Sequence, residues 1–182
     1  MKKVILIVAI ALIPFVGNAQ TSVFDKYDGN EEVTTVVVSK KLFSMMAKFG
    51  GSSAEAKEYG DMVGGLTGLK VFTTESKAIA SDMLKTVNSY LKSAKLSELM
   101  RINDKEGNVR IYIKEGRDDD HVKELLMFIN GIEKHFNGDG NGFSANAVIV
   151  SLTGDIDLNK IAELTEQMNI TGSEHLKKVS NK

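Results

Sequence analysis

From Leu96 onward the periodicity of the chain changes, and this change limits the fold more than any other feature. LSELMRIN, Leu96 to Asn103, meets NVRIYIKE, Asn108 to Glu115, across the turn DKEG. In the second segment Val109, Ile111 and Ile113 alternate with Arg110, Tyr112 and Lys114. A two-residue period is that of a β-strand, and the contrast between its halves predicts a sheet with one wet side. NAVIVSLTG, Asn146 to Gly154, reads as a further strand. HVKELLMFIN, His121 to Asn130, fits a strand or a helix, and we favour the strand.

Before Leu96 the spacing is mostly helical. VTTVVVS, Val33 to Ser39, is β-branched, and apolar or Thr on both faces, which predicts a central strand. Lys40 to Phe49 places Leu42, Phe43, Met45, Met46 and Phe49 at helical intervals, and GGSS ends that helix. A weaker helix follows over Ala54 to Val63, then a strand over Gly68 to Thr74. Intervening helices of this kind permit parallel pairing of the first two strands. Glu75 to Ser93 carries Ile79, Met83, Val87, Tyr90 and Leu91 in one stripe and is the strongest helix. Asp157 is placed to cap a last helix over Leu158 to Met168, with Leu158, Ile161, Leu164, Thr165 and Met168 inward. Helices early and strands late predict an α+β fold: a largely antiparallel sheet of about five or six strands, with helices packed on one face.

The ends of the chain are different in kind. Lys2 and Lys3 precede an apolar run from Val4 to Val16, and GNA, Gly17 to Ala19, supplies small residues. This is the pattern of a secretory signal over residues 1–19, cleaved between Ala19 and Gln20. The run is short for a membrane span. Removing 19 of 182 residues leaves 163, enough for one domain. Loss of two lysines moves the formal charge from -1 to -3, which argues against nucleic acid as a partner. The chain has no cysteine, so disulfides, thiolate metal sites and a lipidated cysteine are excluded. We expect a polar lead-in over residues 20–32, a single domain over 33–168 and a flexible tail over 169–182.

Several segments approach a known chemistry and miss it. NGDGNG, Asn137 to Gly142, resembles the front half of a calcium loop. Asn137, Asp139, Asn141 and Gly142 fill the first, third, fifth and sixth places, but the twelfth is Val148, which cannot ligate. The expected reading is a mobile connection. RDDDH, Arg117 to His121, sets three carboxylates beside an imidazole; neighbours on a strand diverge, so a solvated turn is expected. GFSAN, Gly142 to Asn146, lacks the last Gly of a nucleophile elbow and precedes a strand, making Ser144 a loop serine. GDMVGG, Gly60 to Gly65, has no G-K-[ST] and is no phosphate loop. His135 and His175 stand alone. Met45 and Met46, with Phe43 and Phe49, suit a core better than an adaptable binding surface. The acids and lysines from Lys105 to Glu124 are read as a solvated sheet face. No catalytic residue, cofactor or metal is expected.

VFDKYDGNEEVTTVVVSKKLFSMM, ELMRINDKEGNVRIYIKEG and VSLTGDIDLNKIAEL together resemble domain-of-unknown-function family 4252 over roughly Phe24 to Leu164. VSKKLF and LTGDIDL carry most of the likeness. The resemblance implies a small exported protein of Bacteroidota, and it brings no activity or catalytic residues. Some relatives look like lipoproteins; this chain, without cysteine, departs from them and is expected to be soluble in the periplasm or secreted after cleavage. The function expected is that of a non-enzymatic envelope protein binding a protein or cell-surface component, with no stable membrane anchor. A small-ligand or lipid carrier, or a hydrolase with a dispersed carboxylate site, is the alternative.

Overall fold

A computed structural model describes residues 22–49, 54–104, 107–131 and 145–160. A 3-10 turn over Asp25–Tyr27 leads into strand β1 (Thr34–Ser39), helices α1 (Lys40–Phe49) and α2 (Ala54–Gly64), and strand β2 (Leu66–Thr74). Helix α3 (Lys77–Ala94) follows, then strands β3 (Ser97–Asp104), β4 (Gly107–Glu115), β5 (His121–Asn130) and β6 (Ala147–Asp157). The six strands form one sheet in the order β1-β2-β6-β5-β4-β3, antiparallel throughout. The fold is α+β. His121 to Asn130 is a strand, as favoured.

β1 lies at the edge of the sheet, although its composition predicts a central strand. β-branched residues favour the pleat wherever it lies and do not fix the number of neighbours. β1 and β2 pair antiparallel, because α1 and α2 double back and return the chain on the same edge.

Register separates the two faces of the sheet. Thr35, Phe72, Ile149, Phe128, Arg110 and Arg101 lie in one row across all six strands. Val36, Val71, Val150, Met127, Ile111 and Met100 form the next row, so they point the other way. Helix α3 covers the first face. Its Met83 and Val87 are buried against Phe72, Leu126, Phe128, Ala147 and Ile149, with Ile79, Leu84, Tyr90 and Leu91 flanking. The α1–α2 pair covers one end of the second face, where Phe43 and Val63 pack with Leu66, Val122 and Ile156. The helices therefore divide between both faces, where one was expected. Stripes in a helix show that it packs, but not on which side of a sheet.

The dry face of β4 also differs from expectation. Tyr112 is buried under α3, whereas Val109, Ile111 and Ile113 are only half-buried. The lead-in belongs to the core as well. Phe24 and Tyr27 are 1% and 3% exposed, and the Phe24 ring meets Tyr90 edge-on at 5.3 Å. The Tyr27 hydroxyl donates to Asp82 at 2.7 Å and lies 2.8 Å from the Thr86 hydroxyl, while Lys26 pairs with Asp82 at 2.6 Å. Those contacts fasten the lead-in to α3.

Asp157 caps the turn after β6: its Oδ1 accepts the backbone N–H groups of Asn159 and Lys160. Residues 158–160 are helical, and Leu158 packs beside Phe43 and Val63. The remainder of the expected helix and the tail lie outside the described residues, as do Ala19 and Gln20. Among the described residues no helix is long and apolar enough to cross a membrane.

Candidate interaction surface

Among the described residues β1 hydrogen-bonds to β2 on one side only. Its outer edge therefore presents free backbone donors and acceptors, a template for another strand. Val36 and Val37 point to opposite faces and are 48% and 53% exposed. Helix α1 begins at the next residue after β1 and turns Leu42 and Met45 outward, at 44% and 46% exposure. Phe43 and Met46 point inward to the α1–α2 cluster. The Met pair is thus split: Met46 is core, as expected, and Met45 is surface. Scattered exposed apolar residues are ordinary, but here four fall on two consecutive elements at an open sheet edge, with one valine on each face of the strand. Glu31 and Glu32 precede it and Lys40 and Lys41 follow it, all exposed.

The RDDDH cluster converges more than strand geometry predicts. Gly116 to Asp120 is a turn, in which Asp118 Oδ1 accepts the Asp120 backbone N–H and also meets His121 Nδ1 at 2.6 Å. Arg117 lies 2.5 Å from His121 Nε2 and 3.1 Å from Asp155. A guanidinium donates only, so Nε2 accepts and the ring hydrogen sits on Nδ1, facing Asp118. The His121 contact holds the Asp118 carboxyl below the usual carboxylate range. With Nε2 engaged by Arg117, the imidazole acts as a bridge across the end of the sheet. Among the described residues no group of three or more His, Asp or Glu side chains is set to hold a metal ion.

Glu124 is the titratable residue that sequence reasoning missed. Read as part of a solvated face, it is 7% exposed beneath α3, the one buried carboxylate among the described residues. Tyr90 Oη lies 2.8 and 3.0 Å from its two carboxylate oxygens. Burial pushes the Glu124 carboxyl up, against the opposing pull of the Tyr90 hydrogen bond and Lys114. Burial, then Glu124, raises the Tyr90 phenol well above its ordinary value. The signal was available: Glu124 alternates with Leu126 and Phe128, which mark the face beneath α3, while the register shift between Val122 and Glu124 turns Val122 to the other face.

Gly65 closes α2, so GDMVGG is a helix end followed by a turn. NGDGNG, Ser144, His135 and His175 lie outside the described residues.

A family model described as Domain of unknown function (DUF4252) matches residues 27–164. No curated protein and no solved structure matches the chain.

Proposed function

The chain belongs to the DUF4252 family, and from that premise we propose that it is an exported envelope protein of Bacteroidota that acts by binding another protein through the β1–α1 surface. The observation that carries this reading is the open β1 edge, with Val36 and Val37 half-exposed and Leu42 and Met45 beside them. Backbone groups on such an edge supply affinity, and side chains on alternate faces supply specificity. Export rests on the signal pattern over residues 1–19, which supports a working chain in the periplasm or outside the cell.

Neither alternative draws comparable support. The α3 face is filled by Phe24, Phe72, Phe128, Met83, Leu126 and Ile149, all under 2% exposed, which is close packing and not a carrier's cavity. Glu124 is engaged by Tyr90 and has no second buried carboxylate beside it among the described residues, which disfavours a two-carboxylate hydrolase.

The test is a cross-linking pull-down of the tagged chain from its native envelope, beside Val37→Lys and an unrelated exported control. A protein captured reproducibly by the parent and lost with Val37→Lys supports the reading. Equal capture by both, with the variant folded, removes β1 from the function.

A further inference from the structure

We propose that the partner of β1 is β1 of a second copy of this chain. The two strands pair antiparallel about a two-fold axis at Val36, joining two six-stranded sheets into one. This deepens the reading above and rests on its claim that the β1 edge is a contact surface.

The two edges of the sheet are built differently. β3, at one end, carries Glu98 and Arg101, paired at 2.6 Å, and Asp104. Charges of that kind discourage edge-to-edge association. β1, at the other end, reads TTVVVS, with no charge and no proline. An unguarded, apolar edge is the kind that is covered in the working protein.

The sequence around β1 is complementary to its own reverse. An antiparallel copy centred on Val36 sets Thr35 against Val37 and Thr34 against Val38, and brings the turn that holds Glu31 and Glu32 toward the start of α1 in the other copy, where Lys40 and Lys41 stand. The acidic approach to one β1 therefore faces the basic exit of the other. All four charged residues are exposed, and none has an ion-pair partner among the described residues. Opposed residues of a sheet share a face, so the axis must pass through a residue. Centred one residue later, the two copies slide by two positions and the acids move away from the lysines. The pairing also continues the apolar row that runs from Val36 through Val71, Val150, Met127 and Ile111 into the row of the second copy.

The absence of cysteine makes the test direct, because an introduced thiol is the only one in the chain. Opposed residues of an antiparallel pair have Cα atoms about 4.5–5.5 Å apart, within disulfide reach. Under mild oxidation the chain from Gln20 carrying Val36→Cys forms a covalent dimer. Thr34→Cys alone does not, because its own copy lies four residues along, about 13 Å away. Mixing Thr34→Cys with Val38→Cys restores the cross-link. Light scattering on the parent reports twice the chain mass. Glu32→Lys weakens the dimer about tenfold, as loss of two exposed charge pairs would, and adding Lys40→Glu restores it. A parent that is monomeric at about 100 µM, or Val36→Cys that stays monomeric while folded, overturns the proposal. A different protein captured by the parent and lost with Val37→Lys would then leave the binding reading standing, with another occupant for the edge. Loss of neither would remove both.

Discussion

The Tyr90 hydroxyl lies 2.8 and 3.0 Å from the two carboxylate oxygens of Glu124, one hydrogen shared between two acceptors beneath helix α3. Burial raises the Glu124 carboxyl above its ordinary value. A raised carboxyl binds more protons folded than unfolded, so its contribution to stability falls as pH rises from its unfolded value through its folded one. Glu124→Gln keeps an acceptor for Tyr90 and removes that titration. Relative to the parent, Glu124→Gln should gain stability as pH rises above the ordinary glutamate range, and not below it. Urea unfolding at several pH values measures the difference. A difference independent of pH would show that Glu124 does not titrate across this range.

Tyr90→Phe removes the donor and leaves the buried carboxylate less well satisfied. The expected loss is about 1–3 kcal/mol at neutral pH. It should shrink in the Glu124→Gln background, where the acceptor is uncharged, and a double-mutant cycle measures the coupling.

Phe24 lies ten residues before the start of β1 in a segment of polar composition, yet it is 1% exposed and packs on Tyr90. Phe24→Ala should cost about 3–5 kcal/mol, the range for emptying an aromatic core site. Thermal and denaturant midpoints that do not move would place the boundary of the folded domain after the lead-in.

Gly154 has φ +142°, and a Cβ built there would meet the Gly65 carbonyl oxygen at 2.5 Å and Leu66 Cα at 2.7 Å. Gly65 O also accepts the Asp155 N–H at 2.9 Å, where the register of β2 on β6 shifts. Gly154→Ala should therefore cost roughly 2 kcal/mol or more, through strain and through separation of two backbones. Wild-type stability would mean that the crossing relaxes without loss.

Thr35 Oγ1 is buried and has no hydrogen-bond partner among the described residues. Thr35→Val replaces an unsatisfied hydroxyl with a methyl group of the same shape. It should gain about 0.5–1 kcal/mol, read as a higher urea midpoint at unchanged slope.

Local pattern was legible and global placement was not. The stripe through Met83 and Val87 and the alternation through Ile111 identified their elements, because helix and strand periods are properties of a few consecutive residues. Three valines in β1 said strand but not edge, since the number of neighbours depends on pairings with residues far along the chain. β2 meets β6 across some eighty positions, as in Phe72 opposite Ile149, and no local rule selects that partner. At the candidate surface, Met45 and Met46 looked alike in sequence; the step of roughly 100° between neighbours on α1 sends them to different environments. Asp118 reaches His121 because a turn, not a strand, carries it, and that turn was named correctly while its convergence was not.

The position of β6 between β2 and β5 also governs the order in which the sheet can be completed. A growing chain can pair β1 with β2, and β3, β4 and β5 as a meander, from neighbouring sequence alone. Until the last strand arrives these are two part-sheets with four open edges, instead of one sheet with two. Ala147 to Asp157 then closes both seams in a single step. Chains truncated before residue 147 should accordingly behave as sticky, incomplete intermediates, and the rate of folding should be set by long-range closure and not by any of the helices.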